Sequence, residues 1–76
     1  MRSQASAARS TLFDELEQGD YIHRMRRMGD SIGQQMARVE RKEDEHLLLE
    51  DAVTGSLAII TMEELIADRW EKVHRV

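Results

Sequence analysis

Tyr21-Ile22-His23-Arg24-Met25-Arg26-Arg27-Met28-Gly29-Asp30-Ser31-Ile32-Gly33-Gln34-Gln35-Met36-Ala37-Arg38-Val39 is the stretch on which the fold turns. Its apolar residues Ile22, Met25, Met28, Ile32, Met36 and Val39 follow one another at steps of +3, +3, +4, +4 and +3, the spacing of one helical face. Less regularly, the pattern continues through His46 and Leu49 to Ala52 and Val53, with Gly55 as a natural helix end. The spacing predicts a central helix over residues 21–54, about 51 Å long at about 1.5 Å per residue. A compact globule of this length has a radius of gyration of only about 11 Å. Either the helix breaks, at Gly29–Gly33 or Arg41–Glu45, or it is long and pairs with another chain. The expected class is all-α, with two to three helices and a short extended segment before the last one.

Read as a coiled coil, Met25, Ile32, Val39 and His46 form one seam column and Met28, Gln35, Lys42 and Leu49 the other. Two polar members in one short column weaken that seam. A looser antiparallel helix packing fits better. On that reading Ile22, Met25, Met28, Ile32, Met36 and Val39 form the self-association surface of a homodimer or small bundle. The alternative is that they are ordinary core.

Upstream, Ser10 or Thr11 can cap a first helix, with Asp14 and Glu15 in its first turn and Leu12, Phe13 and Leu16 on its apolar side. Gly19-Asp20 reads as a short turn. Residues 1–10 are dominated by small residues and read as a flexible lead-in, with no apolar stretch that would make a secretory signal. Residues 11–76 then form a single small helical domain.

Downstream, Thr61-Met62-Glu63-Glu64 has the pattern of a capping box, and Ile60 can staple onto Leu65. Met62, Leu65, Ile66, Arg69, Trp70 and Val73 share a face at helical spacing, so a helix is expected from Met62 to about His74. Leu57 to Ile60, after Gly55-Ser56, reads as a short extended segment. No other segment offers it a clear strand partner, so its edge is open to another chain.

The chain has 76 residues, a net charge of -4, and neither cysteine nor proline. A domain of this size buries only roughly 60% of the surface of its unfolded chain, and disulfides and thiolate zinc sites are excluded as staples. The remaining routes to stability are very regular helix packing or association with another chain, and association is favoured. No stretch approaches the roughly 20 apolar residues of a membrane span, so a cytoplasmic protein without membrane contact is expected. Residues 1–42 carry a charge of +2 and residues 43–76 a charge of -6. That split is either solvated surface or an acidic half built to meet a basic partner.

The chemistry of catalysis is missing from the sequence. There is no phosphate loop and no nucleophile elbow, and no cofactor is implied. Glu43 and His46 have the Glu-x-x-His spacing of di-iron bundles, but such a site also needs two further carboxylates on facing helices, and metal binding is not expected. Arg24, Arg26, Arg27, Arg38 and Arg41 can contact phosphate, diluted by Asp30 and Glu40. An enzyme is not expected.

Ile59-Ile60-Thr61-Met62-Glu63-Glu64-Leu65-Ile66-Ala67-Asp68-Arg69 resembles the C-terminal part of small bacterial type II antitoxins. There an apolar extended stretch runs into a capped helix. The resemblance implies an acidic C-terminal region that wraps and neutralises a basic toxin, and an N-terminal half that dimerises and binds its operator. The resulting expectation is a small acidic inhibitor or neutraliser that binds another protein through Ile59, Ile60, Leu65, Ile66, Arg69, Trp70 and Val73. Trp and Arg are favoured interface anchors, although the same residues can serve as core. The alternatives are a self-associating helical scaffold and a nucleic-acid-binding regulator acting through the five arginines.

Overall fold

The computed structural model describes residues 11–74, and it is mostly antiparallel sheet. After a helical turn at residues 11–15 (α1) come β1 (Tyr21–Met28), β2 (Ser31–Lys42), β3 (His46–Asp51) and β4 (Leu57–Thr61). A short helix α2 (Met62–Ala67) and the two-residue strand β5 (Glu71–Lys72) follow. The first four strands form a meander. The chain then crosses back over one face, so that β5 pairs with β1 and the sheet order is β4-β3-β2-β1-β5.

The all-α expectation is therefore wrong, and the long central helix over 21–54 does not exist. Met28 and Ser31 pair across the two-residue loop Gly29-Asp30, and Gly29 adopts φ 64, the conformation a tight hairpin needs in its first central residue. The second suggested break, Arg41–Glu45, contains the β2–β3 turn, where the Glu43 N–H bonds the His46 carbonyl at 2.9 Å. Leu57–Ile60 is extended as expected, but it does have a partner within the chain: β3, in the register Leu47↔Ile60 and Leu49↔Ala58.

Alternation along each strand creates two unlike faces. The inner face carries Ile22, Ala37, Val39, Leu47 and Leu49, all buried. Phe13 and Leu16 cover one end of it from the α1 side, and Leu65 of α2 with Trp70 covers the middle. The register shifts between Val39 and Arg41, making Glu40 the inserted residue of a bulge. Beyond the bulge Lys42 falls on the inner side with Leu47, as bulges re-aim side chains. Its Nζ donates to the Leu16 carbonyl at 3.0 Å and lies 4.8 Å from the Phe13 ring centroid.

α2 begins on the capping box read from the sequence. Thr61 Oγ1 accepts from the Glu64 N–H at 3.1 Å, and the Glu64 carboxylate accepts from the Thr61 N–H at 2.8 Å. The helix was expected to run to His74 but ends at Ala67. Arg69 takes φ 61, its N–H bonds the Ile66 carbonyl, and the Trp70 N–H bonds the Leu65 carbonyl. This is a Schellman ending with arginine where glycine is usual. It swings Trp70 onto the core and frees Glu71 and Lys72 to pair with His23 and Ile22. Val73 then sits half-buried after β5, its N–H bonded to the Tyr21 carbonyl at 2.9 Å.

Trp70 is 5% exposed and Leu65 fully buried. Truncating so large a core residue costs about 3 to 5 kcal/mol, a large part of the stability of a domain this small. Trp70→Ala is expected to lower the melting temperature of the whole sheet in a single transition by far-ultraviolet circular dichroism. A variant that melts at the parent temperature would show that the indole is not part of the core.

Candidate functional site: the open edge of the sheet

β4 is an edge strand, and its sequence Leu57-Ala58-Ile59-Ile60-Thr61 contains no charge, proline or bulge. Edge strands usually carry such features because unpaired backbone groups invite another chain. The Asp51 N–H bonds the Ser56 carbonyl and the Met62 N–H bonds the Glu45 carbonyl. These contacts share the β3–β4 register, so Ala58 and Ile60 also direct their N–H and C=O groups toward β3. Leu57, Ile59 and Thr61 direct theirs outward. The Thr61 N–H is already taken by Glu64. The Thr61 carbonyl, as that of the helix N-cap, starts the α2 ladder, so among the described residues the N–H and C=O of Leu57 and of Ile59 remain open.

The same two residues carry exposed side chains, 61% for Leu57 and 65% for Ile59. Both lie on the outer face, which neither α1 nor α2 covers. Ile59 stands opposite the half-buried Leu48, and beside them Arg41, Glu43 and His46 line a shallow cleft. Strand edge and apolar ledge thus coincide.

The structure separates the residues expected to bind a partner. Ile59 is on the ledge and Ile66 is partly exposed, whereas Ile60 turns inward against the core. Leu65 and Trp70 are core, and Arg69 is exposed at the corner after α2. They do not form one helical face. Leu57 and Leu48 were missed, although the alternation Leu57/Ile59 against Ala58/Ile60 was readable.

The proposed self-association stripe is also divided, because it is not helical. Ile22 and Val39 are buried in the core, and Met36 is half-buried. Met25, Met28 and Ile32 are exposed on a two-stranded arm. The arm exists because β1 pairs with β5 only at Ile22 and His23, and β2 pairs with β3 only from Ala37 onward. Of the five arginines, Arg38 is paired with Glu40 and Glu50, and Arg41 with Glu43. Arg24 stacks on Trp70 at 4.6 Å, pairs with Asp68 at 3.3 Å and donates to Gln35 at 2.9 Å. Arg26 and Arg27, both on the arm, have no carboxylate partner among the described residues.

A groove of about 300 Å³ opens on the inner face between Trp70 and the β3–β4 turn. Several of its polar groups hold one another: Asp68 holds Arg24, Arg24 holds Gln35, and Gln35 donates to Asp51 at 3.0 Å, whereas the buried Trp70 Nε1 has no hydrogen-bond partner among the described residues. Asp51 Oδ1 also accepts from the N–H groups of Val53 and Thr54, at 2.8 and 2.9 Å. This network holds the turn leading into β4. Glu43 and His46 lie at a turn and a strand start, and no cluster of three metal-ligating side chains occurs among the described residues. No helix among them is long and apolar enough to cross a membrane.

The Thr54 N–H, the Gln35 amide and the Val53 N–H hold the Asp51 carboxyl at a pKa of about 2, below its ordinary 3.8. Because the folded value is depressed, this contribution is complete above the unfolded pKa and is lost as pH falls from about 4 toward 2. Asp51→Asn is expected to lower the melting temperature at neutral pH and to flatten its fall between about pH 4 and pH 2. Parallel melting curves for the two proteins across that window would show that the turn does not depend on the charge. No protein-family description, curated protein or solved structure matches this chain.

Proposed function

We propose that this chain acts as an inhibitor or neutraliser that binds another protein by taking an extended segment of it as an added strand along β4. The carrying observation is the coincidence, at Leu57 and Ile59, of outward backbone groups and uncovered aliphatic side chains. In strand addition the main-chain bonds supply affinity and the alternate side chains supply specificity. Glu43, Asp44 and Glu45 follow one end of β2, and Glu63 follows β4. Partner chemistry is thereby narrowed to an apolar strand with basic residues near one end. The antitoxin-like resemblance agrees with a basic partner. The contact proposed here is made by β4, because Leu65 and Trp70 of the capped-helix segment are buried.

Ile59 and Ile32 provide a matched test, being 65% and 63% exposed on opposite parts of the sheet. Lysine at an edge strand is a known block to pairing. With cross-linking mass spectrometry of proteins captured from the native host, Ile59→Lys is expected to lose the partner and Ile32→Lys to keep it. Capture that survives Ile59→Lys and fails with Ile32→Lys would move the site to the arm.

The arm supports a second reading, nucleic-acid contact. A two-stranded ribbon fits a major groove, and Arg26 and Arg27 lack carboxylate partners. Two phosphate contacts give a salt slope of only about -2. Duplex binding measured across a salt series is expected to show that shallow slope and to vanish in the Arg26→Ala/Arg27→Ala double variant. Retention that the double variant leaves unchanged would rule the arm out. The helical scaffold has no basis left, since its stripe is not a helix.

A further inference from the structure

We propose that, before a partner arrives, the β4 edge is closed by β4 of a second copy, in an antiparallel pairing centred on Ala58. The inference rests on the strand-addition reading of this edge and adds what occupies it at rest. The register follows from the open groups. With the Thr61 N–H held by Glu64, the outward groups without a partner are the N–H and C=O of Leu57 and of Ile59. Two copies satisfy all four groups on each strand in one register, with Leu57 opposite Ile59 of the second copy and the reverse. That gives four interstrand bonds and places Ala58 opposite Ala58 as a close, non-hydrogen-bonded pair, with Cα atoms about 4.5 Å apart.

Side chains and charge agree with this register. Leu57 meets Ile59 of the other copy on the outer face, covering the two most exposed aliphatic groups of the edge. At the centre stands alanine, exposed and small enough for close approach. Within the paired strands no charged side chain meets another, because Leu57–Thr61 carries none. A pairing shifted to Ile59 on Ile59 would call on the Thr61 N–H that the capping box has already used.

The pairing has a regulatory consequence. A partner strand needs the same four groups, so capture requires the two copies to separate. Free protomer, and with it partner capture, therefore rises less than in proportion to the protein's own concentration. The contact rests on a five-residue strand, and a stable interface buries roughly 1,000 Å² or more. The dimer is expected to be weak and readily exchanged.

The absence of cysteine makes a single introduced thiol an unambiguous reporter. Ala58→Cys, incubated at tens of micromolar with oxidised glutathione, is expected to form a covalent dimer at least about tenfold faster than Met25→Cys. Met25 is also exposed but lies on the arm. Sedimentation of the unaltered chain is expected to show a mass rising with concentration, and Ile59→Lys to remain monomeric. The disulfide-linked dimer is expected to fail in partner capture until reduced. Equal cross-linking rates, together with a monomeric unaltered chain at hundreds of micromolar, would overturn the pairing. Capture that Ile59→Lys abolishes in such a monomeric chain would sink the dimer and leave strand addition standing. A cross-linked dimer whose capture ignores Ile59→Lys would do the opposite.

Discussion

Burial of Trp70 against the inner face is the contact on which the rest depends. A five-stranded sheet this small must cover one face or lose most of its apolar burial, and residues 62–70 provide much of that cover. Leu65 and Trp70 reach the core only because Arg69 accepts a left-handed backbone and ends α2 after six residues. The same turn aims β5 at β1. Arg24 lies over the indole and ties it through Gln35 to Asp51, so the Trp70 contact is linked to the turn that starts β4. One lid thereby positions the core, the last strand and the approach to the open edge.

That lid covers one side only. The outer face keeps Met25, Ile32, Leu57 and Ile59 in contact with solvent, the last two on the unshielded edge strand. Charge is divided along the molecule too. β2, with 12 residues, is long enough to run most of the 38 Å long dimension. It starts in the arm, opposite β1 with Arg26 and Arg27, which have no carboxylate partner among the described residues, and it runs to Glu43-Asp44-Glu45. The division seen along the sequence is thus also a division in space.

Local features were legible because they are settled within four or five residues. The capping box, the turn at Gly19-Asp20, the helical turn at residues 11–15 and the extended Leu57–Ile60 all follow from short-range bonding. The sheet was hidden by its arm. Beyond the core, the inward positions of the hairpin are Arg24, Arg26 and Gln35, while the outward Met25 and Ile32 are apolar. This inverts the alternation that marks a half-buried strand and leaves apolar residues three and four apart. The Gly29-Asp30 pair between two strand-length runs was the signal that should have outweighed the spacing. Ile59 reads from the sequence as part of an open extended segment, and it lies exposed on the edge strand. Trp70 and Leu65 carry the same residue-type signal whether they anchor a partner or fill a core, and only the Schellman turn decides between these roles.

The smallest strand has the widest kinetic consequence. Each of the first four strands pairs with its sequence neighbour, so the meander can grow by adding hairpins, which close in microseconds. β5 instead bonds to residues roughly 50 positions earlier, and its loop-closure entropy must be met before Trp70 is seated. Docking of residues 62–74 is accordingly expected to come last in folding. Run backwards, it makes the C-terminal segment the first part of the native state to open.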